Sequence, residues 1–142
     1  MDTAEYQALG SFRYQIRRFL HFSEAAARAE GLEPQQHQMM LAIRSLWDPD
    51  TTDAGPTMGE LAENLLLKHN SAVGLVDRLV ERQLAERTRA EKDRRQVRVR
   101  LTPSGLEKLH RLSSVHREEL SSSGPVLVNA LQALLQVGEA PR

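Results

Sequence analysis

At 142 residues the chain suits one domain with a real core, and 40% hydrophobic residues with few aromatics point to a leucine- and alanine-rich helical protein, not a disordered one. Cysteine is absent, which excludes disulfides, thiolate metal sites and cysteine nucleophiles; the acidic opening MDTAEYQALG does not read as a signal peptide, and the longest apolar stretch, VLVNALQALLQV, is short and interrupted by amides, so a cytoplasmic protein with no membrane partner is expected. The 19 basic and 19 acidic residues cancel, but residues 87–100 hold seven basic against two acidic side chains, leaving that segment at +5 and the remainder at −5.

From Tyr6 to Ala29, Leu9, Phe12, Ile16, Phe19 and Leu20 recur three and four apart, the spacing of one helical face, and Gly31 is a natural stop. Pro34 suits the first position of a second helix, QQHQMMLAIRSLW, on which Met40, Ile43 and Trp47 line a buried face. DPDTTDAGPT is loop chemistry. Its aspartates resemble a calcium loop only in part, because the glycine and closing glutamate of that pattern are misplaced, and a solvated loop is expected.

Thr57 and Glu60 fit a capping box, in which each side chain satisfies the other residue's amide, opening a short third helix through Leu61 and Leu65. After a turn around Leu67-Lys68-His69, Ala72, Leu75, Val76, Leu79 and Val80 make an apolar stripe on a fourth helix, with Asn70 as its expected N-cap. The opposite face is left exposed. Gln83 stands at the turn that follows, so this helix is expected to end without a left-handed cap.

Arg87–Ala90 and Gln96–Leu101 read as two strands joined by a charged turn, since Val97, Val99 and Leu101 alternate with Arg98 and Arg100; one face is then buried and the other is arginine. Thr102-Pro103 gives an N-cap followed by proline, starting a fifth helix through Leu106, Leu109, Leu112 and Leu120. The run Ser121-Ser-Ser-Gly-Pro125 is expected to end it before a last helix from Val126 to Val137.

A short helix, a turn, a second helix with one free face and a two-stranded hairpin make a winged helix-turn-helix, in which the second helix enters the major groove of DNA. The predicted class is mainly α with a small β-hairpin. A hairpin rich in arginine suits phosphates and the strong negative potential of the minor groove.

The segments GLEPQQHQMML, ELAENL, GLVDRLVERQLAER and EKDRRQVRVRLTPSG, which span roughly residues 31–106, resemble in order and spacing the MarR-type (multiple antibiotic resistance regulator) transcription factors. The resemblance implies residues 34–102 as the winged helix-turn-helix region. It implies residues 1–33 and 103–142 as N- and C-terminal helices that interlock with a second copy, the whole chain being one domain. A two-fold homodimer would bind double-stranded DNA at a pseudo-palindromic operator. Asp93 would brace the wing, with Arg94 and Arg95 at its tip and Arg89, Lys92 and Arg98 completing the basic set. On the recognition helix Lys68, His69, Asn70, Ser71, Val73 and Gly74 would lie near bases and Arg78 near the backbone. Val73-Gly74 stands where relatives often have a polar or basic pair, so either fewer bases are read directly or the backbone approaches closely.

Two readings stay open for several of these residues. Asn70 and Ser71 serve either base reading or simple capping. Phe12, Phe19, Met40 and Trp47, with Arg17 and His21, line either an effector pocket for a small aromatic or anionic ligand, as relatives carry between the dimer helices and the winged domain, or ordinary core and solvated helix surface. His110 and His116 are six residues apart, on different helix faces, which argues against zinc; no metal or cofactor is expected.

No nucleophile elbow, phosphate loop or HExxH pattern points to an enzyme. The function expected is a sequence-specific, ligand-responsive homodimeric repressor; the alternative is a winged-helix protein-interaction module with no DNA role.

Overall fold

The computed structural model describes residues 1–50, 54–89 and 96–137. Helix α1 spans Thr3–Ala29, α2 Pro34–Ser45, α3 Met58–Leu65 and α4 His69–Glu81; strands β1 (Ala85–Arg89) and β2 (Val97–Leu101) follow, and α5 runs over Pro103–Val137. The chain divides into two compact units, Glu30–Arg111 and Met1–Ala29 with Leu112–Arg142.

The Glu30–Arg111 unit holds nearly all of the core. Leu32, Met39, Met40, Ile43, Leu61, Val76, Leu79 and Val99 are all fully buried. Leu32 lies just before α2; the others lie at helical spacing on α2, α3 and α4 and at the centre of β2, so one face of each element closes on the others. Pro34 opens α2 as its missing N–H allows, and the Gln36 side chain accepts from the Glu33 amide (3.0 Å) and from Arg82 Nη1 (3.2 Å), joining α2 to the end of α4. Glu30 receives Arg111 at 3.2 Å and its carbonyl receives Lys108 Nζ at 2.7 Å; the hydrogen bond to Glu30 raises the Arg111 pKa above its already high value.

The strands pair antiparallel with Ala85 opposite Leu101, Arg87 opposite Val99 and Arg89 opposite Val97. At the end of β2 the Thr102 amide donates to the Leu84 carbonyl (3.1 Å) and the Thr102 hydroxyl to the Gln83 carbonyl (2.7 Å). The same hydroxyl oxygen accepts from the Gly105 amide (3.0 Å) and so caps α5, as Thr102-Pro103 led us to expect. A Cβ on Gly105 would stand 2.0 Å from the Leu84 carbonyl oxygen, so only glycine permits this approach.

The other unit is a pair of long helix segments. Ala27 and Leu112 are its fully buried residues among those described. The His116 ring bonds the Leu112 carbonyl through Nδ1 (2.7 Å) and Ser23 Oγ through Nε2 (2.8 Å), and Phe19 and Phe22 pack edge-on against it.

Three expectations are corrected. No break occurs at residues 121–125: α5 is continuous and contains Pro125. The serine hydroxyls donate back to the Glu118 and Glu119 carbonyls at 2.6–3.0 Å, so they do not compete for the helix, and Pro125 is exposed, so the carbonyl it leaves without an amide partner is not stranded in a core. Trp47 lies beyond the end of α2 and is half-buried beneath two guanidinium groups, Arg44 at 5.3 Å and Arg100 at 4.6 Å from its ring centroid. The third is Gln83, which does take a left-handed conformation (φ 61°). The Leu84 amide reaches back to the Leu79 carbonyl and the Gln83 amide to that of Val80, a Schellman closure in which buried Leu79 and Leu84 supply the apolar contact.

Candidate nucleic-acid interface

The interface is built from α3 outward. Thr57 Oγ1 accepts from the Glu60 amide and Glu60 Oε1 from the Thr57 amide, both at 3.2 Å, the capping box expected from the sequence. The far end of α3 closes through Leu66, left-handed at φ 56°, with the Leu67 amide bonded to the Ala62 carbonyl at 2.9 Å. That closure decides where α4 begins. Lys68 is the extended N-cap residue and His69 already starts the helix, so Asn70 lies inside the first turn and is not the cap. The Lys68 side chain makes no capping bond to the amides of this turn, where the positive end of the helix dipole lies.

Helix α4 buries Ala72, Leu75, Val76 and Leu79 and turns the rest away from the core. Lys68, His69, Asn70, Ser71 and Arg78 are exposed, and Val73 and Gly74 are half-exposed. Asp77, on the same free face, is ion-paired to Arg87 of β1, which offsets its charge and ties the hairpin to the helix.

The hairpin differs from a simple arginine face. Arg89 is exposed at the end of β1. Arg98, by contrast, donates from Nη1 to the Gly55 carbonyl (2.8 Å) and from Nη2 to Gln96 (3.0 Å), and Arg100 lies over Trp47. The loop before α3 covers this face: Thr57 bridges to Arg98, and the Val99 amide donates to the Pro56 carbonyl at 2.9 Å. Gly55 makes that approach possible, because a Cβ there would stand 2.2 Å from the Val99 carbonyl oxygen. Lys92, Asp93, Arg94 and Arg95 lie outside the described residues.

Residues 30–96 match the family model described as MarR family. Over these residues the chain is similar to the MarR family. Comparison of the sequence with curated proteins finds no match. Among solved structures it is similar to AbsC, a MarR family transcriptional regulator from Streptomyces coelicolor (18% identity, TM-score 0.72, covering 98% of this chain and 95% of that one). It is also similar to the transcriptional repressor CouR bound to a 23-mer DNA duplex (25% identity, TM-score 0.65, 88% and 86% covered). A third is BpsR from Bordetella bronchiseptica, whose DNA binding is regulated by 6-hydroxynicotinic acid (20% identity, TM-score 0.62, 92% and 91% covered).

Sequence reasoning missed the roles of Gly55 and Gly105, for which the only signal was glycine beside a proline and after Thr102-Pro103. The effector residues separate. A cavity of about 610 Å³ between α1 and the distal part of α5 gathers Arg17, Phe19 and His21 with Tyr14, Phe22 and Leu127. Phe12 is not in its lining, and Met40 and Trp47 belong to the Glu30–Arg111 unit, Met40 in the core and Trp47 under its arginines.

Proposed function

We propose that this protein is a homodimeric, ligand-responsive transcriptional repressor that binds a pseudo-palindromic operator in double-stranded DNA. The observation that carries the reading is the division of α4. One face is committed to the core, while the free face begins with Lys68, His69, Asn70 and Ser71 at a helix end that the Lys68 side chain does not cap. Asn and Ser suit base edges, Lys suits phosphate or guanine, and an uncapped N-terminus favours anions. The DNA-bound state of CouR, with a comparable fold, supports the same use here.

The helix pair supports the dimer. Tyr6, Leu9 and Leu20 on α1 and Val115, Val126, Leu131 and Leu135 on α5 are exposed, an apolar surface that a second copy would cover. In that dimer the two recognition helices would stand about 34 Å apart, one turn of DNA. The α1–α5 cavity, with apolar walls, the cations Arg17 and Arg18 and the His21 ring, suits a small aromatic anion, as does the regulation of BpsR by 6-hydroxynicotinic acid. Such a ligand releases DNA only by favouring a spacing of the recognition helices that DNA does not accept.

The test is fluorescence anisotropy on the duplex upstream of the protein's own gene, across a salt series with random duplex as competitor. Specific binding that falls about 10³-fold or more between 50 and 200 mM salt is expected if six to ten phosphates are contacted. A folded dimer that prefers no sequence and shows no salt dependence overturns the reading in favour of a protein-interaction module.

A further inference from the structure

Gly74 lies at the middle of the free face of α4. At about 100° per residue, Asn70, Gly74, Asp77 and Glu81 fall on one line, opposite the buried line of Ala72, Leu75, Val76 and Leu79. Glycine inside a helix is a poor choice for stability, because it gives up more backbone freedom than alanine on folding. Two other glycines of this chain are required by the fold: a Cβ at Gly55 or Gly105 would collide with a backbone carbonyl at 2.2 or 2.0 Å. Gly74 is not. A Cβ there meets nothing within 4 Å, and its φ lies outside the left-handed region.

The missing side chain is therefore a feature of the outer surface. Its neighbour Val73 is half-exposed and presents methyl groups, whereas Asn70 and Ser71, one turn earlier, present hydrogen-bonding groups. Positions 73 and 74 together form an apolar step with room beside it.

We propose that Val73 and Gly74 form a slot for the C5-methyl group of a thymine in the major groove, so that this base is read by shape and apolar contact instead of by hydrogen bonds. The proposal rests on the DNA-binding reading above and names part of its specificity. Thymine alone among the four bases carries a methyl on its major-groove edge. Cytosine would leave the slot empty, and adenine or guanine would set polar edge atoms against apolar surface without a partner.

The experiment uses the full chain and a duplex selected by it from a random library. Each thymine is replaced in turn by deoxyuridine, which removes only the methyl. At one thymine in each half-site, affinity of the unaltered protein falls about fourfold, the value of one buried methyl. Gly74→Ala raises the melting temperature by about 2–4 °C, since the added Cβ is unobstructed and helix propensity improves. It nevertheless binds the selected duplex more weakly, and the penalty shrinks on the deoxyuridine duplex, because the Cβ and the methyl compete for one space. Val73→Ser, which adds no bulk, brings the thymine-to-deoxyuridine affinity ratio close to one. Gly74→Ala binding as tightly as the unaltered protein, or losing the same factor on both duplexes, overturns the slot. Failure of the unaltered protein to select any site overturns the DNA-binding reading itself, and the slot with it.

Discussion

Arg98 Nη1 donates a 2.8 Å hydrogen bond to the carbonyl of Gly55, joining the second hairpin strand to the loop that leads into α3. The Thr88 hydroxyl makes a matching bond to the Ala54 carbonyl at 2.8 Å, from the strand paired with β2. Arg98 Nε is itself buried. A guanidinium committed in this way is a brace between hairpin and helix-turn-helix. In the proposed DNA complex the hairpin's phosphate contacts then fall to other basic residues, although the sequence alternation shows an uninterrupted arginine face.

Arg98→Ala accordingly should destabilise the Glu30–Arg111 unit by about 1–3 kcal/mol, the range for losing a hydrogen bond with a charged donor from a part-buried site. Its effect on DNA should come through folding alone. At temperatures where the variant is folded, the slope of log affinity against log salt should match that of the unaltered protein, whereas Lys68→Ala should lower the slope by about one. A reduced slope for Arg98→Ala would return it to the set of phosphate contacts.

Both helices of the helix-turn-helix end on a left-handed residue that is not glycine, Leu66 at φ 56° and Gln83 at φ 61°. Leu66 is also 92% exposed, so its side chain contributes no packing to offset the backbone cost. Leu66→Gly and Gln83→Gly should each raise stability by about 1 kcal/mol, read as a higher urea midpoint at unchanged m. An unchanged or lower midpoint would show that the side chains stabilise these turns in a way their exposure does not reveal.

These caps also show where local sequence stops being informative. The capping box at Thr57, the Thr102-Pro103 start and the alternation of Val97, Val99 and Leu101 were legible because each depends on residues a few positions apart. Asn70 was misplaced as a cap because the start of α4 is set by the Leu67 amide bonding back to Ala62, a closure that Leu66 gives no hint of. Alternation likewise assigns β2 two faces, but it does not say that a loop some 40 residues earlier covers one of them. The grouping of Arg17, Phe19 and His21 was legible as one helix stretch, while their partition from Met40 and Trp47 depends on how the chain divides into units.

The Gly105 site gives a direct steric test. Any side chain there meets the Leu84 carbonyl, which is already the acceptor for the Thr102 amide, so the backbone itself must move. Gly105→Ala should cost about 2–4 kcal/mol, toward the upper range for overpacking because carbonyl oxygen cannot yield as a side chain does. Gly10→Ala, at a helical position where nothing lies within 4 Å, is the control and should stabilise slightly. Equal midpoints for the two variants would mean that the start of α5 shifts without penalty.

The exposed apolar residues of α5 test the dimer without touching the winged unit. Leu131 and Leu135 are four residues apart on one face, and Leu135 is 61% exposed, so replacing both with glutamate removes little packing from the protomer. If a second copy covers them, the double variant buries two charges against an apolar surface and should shift the chain toward monomer in sedimentation equilibrium at micromolar concentration. Operator affinity should fall with it, since one protomer offers a single recognition helix and loses the gain in effective concentration of a linked pair. Retention of the dimer by this variant would place the self-association surface elsewhere on the chain.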